Sequence, residues 1–283
     1  MEKKRAAIIA VVGGIFIFVL KFGSYFMSGS VALLSDALES VVNIAASGLM
    51  LYSILLSDKP PDDNHRYGHE KIENITCMIE GLFILTAALF IIHTALEKIS
   101  APSVITQLEG AIVINLFATA LNGGLSWMLS NTAEEKGSMA LEGDAKHLLS
   151  DVITSVGVAI GLWISQITGW MWADPVIAII VALLIIRMGI TIVVKSGRGL
   201  MDERCAESEA EIKTVLDNHK FMFVDFHDVK TRKSGNCVFA ELHLSVDGSL
   251  SVQEAHDLTN HLEEDLNEKL PNMIVTIQVE PPQ

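Results

Sequence analysis

His147 and Asp151 stand four residues apart at the head of an apolar run spanning residues 146–166. An ionisable side chain inside hydrocarbon costs about 2.5–3.5 kcal/mol on insertion scales, so such residues mark ion or proton pathways. Four-residue spacing stacks the imidazole and the carboxylate on one helix face. A second apolar run carries Asp36, Glu39 and Asn43 at three- and four-residue spacing. Two polar faces of this kind offset their cost by meeting around a cation. Imidazole nitrogen and carboxylate oxygen suit Zn²⁺ and neighbouring transition metals. Asp151 and Glu39 together cancel a divalent charge, and protonating the same groups would empty the site. The rival reading puts these residues at helix ends in interfacial water. Asp36 stays open between ligand, helix-packing hydrogen-bonder and vestibule residue.

Two further clusters could ligate metal. Asp62, Asp63, His65 and His69 fall within one short segment between apolar runs, which could also be a solvated polar turn. His227, His243, His256 and Glu280 lie in the C-terminal stretch, together with His219 and His261. There the alternative is scattered surface histidines. If the strands close a tight turn, His227 and His243 are near each other, but a one-residue register change would separate their faces. His93, with no acidic partner expected nearby, reads as structural. Cys77, Cys205 and Cys237 form neither a CxxC motif nor an even set, so no disulfide framework or zinc knuckle is expected. Asn74-Ile75-Thr76 fits a glycosylation pattern but is discounted at the cytoplasmic edge of a span.

These residues must be positioned by a membrane domain. Half the chain is apolar, 19% is charged, and mean hydropathy is +0.42. Six segments satisfy the requirement of about 20 mostly apolar residues for spanning a bilayer: 6–26, 31–56, 73–97, 109–131, 146–166 and 173–195. Lys3, Lys4, Arg5, Arg66, Lys71, Lys136, Lys146, Lys195 and Arg198 flank one side, against Lys98 on the other. The positive-inside rule then places both termini in the cytoplasm.

Residues 201–283 read as a separate domain after a transmembrane region of residues 1–200. A helix is expected over 207–219, strands over 223–232 and 236–246 with a turn at 233–235, a Ser251-capped helix to about Leu270, and a last strand over 273–279. Val238, Ala240, Leu242, Leu244 and Val246 alternate, so one sheet face is buried. In the second helix Val252, Ala255, Leu262 and Leu266 recur at helical spacing. The order αββαβ predicts two layers, helices on one face of a sheet. This stretch holds 17 acidic and 7 basic residues. Such a balance argues against nucleic acid or anionic lipid as its partner and suits a cationic ligand, or simply solubility.

Taken together, the segments 28–39, 62–71 and 144–151, with Gly199–Asp202 and Glu254-Ala255-His256, resemble the cation diffusion facilitator family over essentially the whole chain. The resemblance implies a six-helix membrane bundle plus a ferredoxin-like α+β cytosolic domain, working as a homodimer in a bacterial inner membrane. It implies no enzyme but a proton-coupled antiporter that exports divalent transition metal, with zinc first and iron, cobalt, manganese or cadmium open. The implied transport site is Glu39, Asn43, His147 and Asp151; the loop site is Asp62, His65 and His69; the cytosolic site is His227, His243, His256 and Glu280. Lys71 and Asp202 would form a charge interlock near the membrane surface. Two departures stand out. The family usually has Asp or His followed by Asp where Glu39 and Asn43 stand here, and Gln278 replaces an expected His. Asn43, unable to exchange a proton, keeps open a non-transporting scaffold or sensor. An intramembrane metalloenzyme lacks support from any HExxH motif.

Overall fold

In the computed structural model, residues 2–28, 31–100, 109–168, 172–235 and 237–282 are described. Over 31–39, 109–112, 161–167 and some neighbouring positions the description extends to the backbone alone. The chain forms two compact units, Met1–Gly197 and Arg198–Gln283.

The first unit is six long helices: α1 (Lys3–Ser28), α2 (Val31–Ser57), α3 (Ile72–Ser100), α4 (Glu109–Lys136), α5 (Met139–Thr168) and α6 (Ala173–Leu200). At a rise of about 1.5 Å per residue, each is long enough to cross a hydrocarbon core about 30 Å thick. Among the described residues, the stretches Lys3–Gly23, Ile72–Glu97 and Pro175–Leu200 meet length and apolarity together. Their outer faces are apolar: Phe16 is 53% exposed, Phe90 65% and Leu184 57%. Water would penalise such faces and lipid tails would not, which is the pattern of a bundle solvated by a bilayer.

Inside the bundle, α1 packs on α2 and α4, α5 on α3 and α4, and α2 reaches α3 and α5. Ala6, Ala7 and Ala10 of α1 and Ala140 and Ala145 of α5 are buried with Met50, Ile54 and Leu129. Small residues let the backbones approach closely where no hydrophobic force between helices exists. At the α3–α6 crossing, a Cβ on Gly189 would lie 2.9 Å from Leu85 and 3.3 Å from the Gly81 carbonyl oxygen.

The second unit runs α7 (Ala206–Asn218), β1 (Asp225–Ser234), β2 (Cys237–Ser245), α8 (Val252–Lys269), β3 (Met273–Glu280). The strand order is β1-β2-β3, antiparallel between β1 and β2 and parallel between β2 and β3. Ala240, Leu242 and Leu244 of β2 meet Ile212, Val215 and Leu216 of α7 and Leu258, Leu262 and Leu266 of α8 in one core. The αββαβ expectation is therefore met. Two local details differ. β1 continues through Ser234 before turning, so the turn is tighter than expected. Val252 is exposed in the first turn of α8, and Leu258 takes the core position instead. Ser251 caps α8 as expected, in a reciprocal capping box with Glu254.

Candidate metal centre

A candidate site lies where α2 and α5 face each other. Asn43 is buried and bridges His147 and Asp151 of α5. Its amide nitrogen donates to Asp151 Oδ2 at 2.5 Å. Its carbonyl oxygen lies 2.9 Å from His147 Nε2. A carbonyl can only accept, so this contact assigns a proton to Nε2. One turn along, Ser47 donates to both oxygens of the buried Asp144 at 3.0 Å. The result is a polar ladder: Asn43 and Ser47 on α2 against Asp144, His147 and Asp151 on α5. Glu39 lies one turn before Asn43 on α2, and Asp36 precedes it; the side chains of both are outside the described residues.

Sequence reasoning missed Asp144, Ser47 and Glu80. Asp144 carried a readable signal, since residues 144, 147 and 151 share a helical face. Glu80 carried one too, being a carboxylate seven residues beyond Glu73 in an apolar run. It is fully buried, and neither of its oxygens has a hydrogen-bond partner among the described residues. A Cβ added at Gly143, beside Asp144, would lie 2.8 Å from Glu80 Oε2. Gly143 thus makes room for the carboxylate. His93 requires a correction: Glu97, one turn on, puts a carboxylate oxygen 3.8 Å from its Nδ1.

The loop after α2 gathers Asp62, His65 and His69 within metal-ligand reach. Asp62 Oδ1 accepts from the backbone N–H of Asn64 at 2.9 Å and of His65 at 2.6 Å. Asp62 Oδ2 is 3.3 Å from His69 Nε2. The His65 and His69 rings stand 4.5 Å apart. Gly68, at φ 85°, supplies the left-handed residue that returns the chain to His69. The His65 backbone N–H, first among several contacts, holds the Asp62 carboxyl below its ordinary range. Asp63 stays outside this group.

In the second unit, His227, His243 and Glu280 converge. His227 Nε2 is 3.1 Å from Glu280 Oε1, and His243 Nδ1 is 3.0 Å from Oε2. The register that sequence alone left open pairs His227 directly with His243. A bulge between His227 and Lys230 creates that pairing, with Asp228 at φ 53°. Extending the Lys230–Glu241 register without the bulge would set Asp228, not His227, opposite His243. His256 lies apart, exposed on α8, with its Nε2 3.1 Å from Asn260 Nδ2.

The sequence matches the family described as the cation efflux transmembrane domain over residues 7–201. It matches the family described as the cation efflux protein cytoplasmic domain over residues 206–282. A protein of Synechocystis, sll1263, described as an uncharacterised transporter, is 36% identical over 93% of this chain and 85% of its own length. The cation-efflux pump FieF of Escherichia coli is 27% identical over 98% of this chain and 92% of its own length. The metal-bound C-terminal domain of the CzcD transporter from Thermotoga maritima is 31% identical over 27% of this chain and 88% of that chain, with a TM-score of 0.26.

Proposed function

This chain belongs to the cation efflux, or cation diffusion facilitator, family, and on that premise we propose that it exports divalent transition metal, zinc first, in exchange for protons. The observation that carries the proposal is the buried Asn43–His147–Asp151 constellation between two long helices. His147 Nε2, Asp151 Oδ2 and Asn43 Oδ1 are three donor atoms of the types that Zn²⁺ accepts. Glu39, one turn away along α2, is the fourth ligand in this reading, and with Asp151 it neutralises the ion.

Coupling follows from which atoms carry protons. For His147 Nε2 to ligate metal, the proton it shares with Asn43 must leave or move to Nδ1. Arrival of a proton on His147 or Asp151 removes a ligand and releases the ion. Ion and proton thus compete for the same atoms, which is what an antiporter needs. The polar ladder with Ser47 and Asp144 would extend a hydrophilic path along α5. Both termini would lie in the cytoplasm. The chain would work as a homodimer, in keeping with its match to the cytoplasmic domain of these transporters and with the small core of that unit. The loop and cytosolic clusters would bind the same class of ion on its way or as a signal.

Purified protein in liposomes with an imposed pH gradient tests this. Zinc flux coupled to proton counterflow is expected, and Asp151→Ala should abolish it. Full activity of that variant with zinc, iron and manganese would overturn the mechanism.

A further inference from the structure

His219 closes α7: its backbone N–H bonds to the Leu216 carbonyl at 3.0 Å. Its Nδ1 lies 2.9 Å from the Val215 carbonyl oxygen. A carbonyl only accepts, so Nδ1 carries a proton and the ring's other nitrogen, Nε2, is aimed across to α8. There it meets Asp265 Oδ2 at 2.9 Å. His261, one turn before Asp265 on the same helix, brings its own Nε2 to 3.8 Å from that oxygen. The two rings are 5.4 Å apart and nearly perpendicular, at 81°. All three ligand atoms lie within 4.8 Å of one another.

We propose that His219, His261 and Asp265 form a further divalent-metal site, of the zinc class, that ties the end of α7 to α8. Three lines carry the assignment. The first is size: ligands at about 2.0–2.2 Å in a tetrahedron stand about 3.3 Å from each other. The 2.9 and 3.8 Å separations bracket that value, so small side-chain rotations suffice. The second is orientation. The Val215 carbonyl fixes the His219 ring and its tautomer from behind, as outer partners of metal-bound histidines do. The third is access. His219 and Asp265 are partly buried while the His261 side chain is 47% exposed, which leaves one side open for water as a fourth ligand.

The site is separate from the His227–His243–Glu280 group. Leu242 and Leu244 of β2 point into the core shared with the helices. His243, between them, projects to the opposite face of the sheet. The two groups therefore sit on opposite sides of one sheet, and one metal cannot serve both. The acidic balance of residues 201–283, 17 against 7, raises the local concentration of any cation. Occupation would replace a single His–Asp contact between the helices by a three-ligand clasp.

The full-length protein in detergent tests this without reference to transport. Wild type, His261→Ala and Asp265→Asn are dialysed against buffered free Zn²⁺ and their bound metal is counted by mass spectrometry. Co²⁺ loading with visible absorption reads the ligand geometry of the same samples. Each variant is expected to lose one metal per protomer and the matching share of tetrahedral Co²⁺ absorption. His261 is 47% exposed and its Nε2 stands 3.8 Å from Asp265, so His261→Ala should keep the metal-free melting midpoint. An unchanged metal count and Co²⁺ spectrum in a folded His261→Ala protein would overturn the proposal. Asp151→Ala, measured alongside, separates this site from the transport reading: each of the two can fail while the other holds.

Discussion

In the proposed transport site, Asn43 is the residue that departs from a plain set of acids and imidazole. Its amide gives one hydrogen bond to Asp151 and takes one from His147, so a neutral side chain holds both in place. Replacing it by Asp puts two carboxylates in contact, and such a pair shares one proton rather than ionising twice. Metal must then displace that proton as well. For Asn43→Asp we expect Zn²⁺ affinity at pH 8 to rise by about tenfold and each bound ion to release one more proton than in wild type. Calorimetry in buffers of different ionisation enthalpy counts those protons; an unchanged count would remove Asn43 from the coupling argument. The pairing of Asn43 with His147 and Asp151 was legible in the sequence, because spacing within each helix sets the faces. Asp144 with Ser47 was legible only in part. The three-residue step from Asp144 to His147 was visible, but a lone Ser on α2 means nothing until the two helices are known to be antiparallel neighbours at that level.

At the scale of elements, capping chemistry is local and was readable, whereas strand register is not. Ser251 and Glu254 make their reciprocal bonds within four residues, so the start of α8 needed no tertiary knowledge. The bulge in β1 could not be read that way. Asp228 adopts φ 53° within a strand whose residues otherwise alternate, and no glycine advertises it. Its carboxylate bonds to Lys230 at 2.7 Å, which steadies the irregular turn of backbone and holds the acid below its ordinary range. An Asp tolerates left-handed backbone; a β-branched residue does so poorly, at a cost of about 1–2 kcal/mol. Asp228→Val should therefore loosen the bulge and weaken zinc binding by His227, His243 and Glu280 by tenfold or more. Asp228→Gly should preserve it. Amide exchange along β1 with and without zinc compares the two. Equal zinc protection in the Val and Gly variants would show that backbone conformation at Asp228 does not set the site.

At the scale of the bundle, four elements are held at one end by a single carboxylate. Glu73, 1% exposed at the start of α3, accepts from Lys3 of α1 at 3.0 Å, Ser57 of α2 at 2.9 Å and Ser138 before α5 at 2.5 Å. Hydropathy hid this node, because Glu73 looked like an ordinary acidic residue in a helix's first turn. Three partners satisfy its oxygens, which is the condition under which a buried charge is tolerated at all. Glu73→Ala strips the acceptor from all three, leaving the Lys3 ammonium and two hydroxyls facing a cavity. Breaking a buried pair from one side costs about 3–5 kcal/mol, so the variant should melt well below wild type in detergent. Glu73→Gln keeps an acceptor for the hydroxyls while losing the charge opposite Lys3, and its midpoint should fall between the two. A double replacement with Lys3→Met should recover part of the Glu73→Ala loss, because the orphaned ammonium is then gone. Were Glu73→Ala to melt with wild type, the bundle's end would be held by apolar packing alone, and the contacts among Ala6, Met50 and Leu141 would be its sufficient cause.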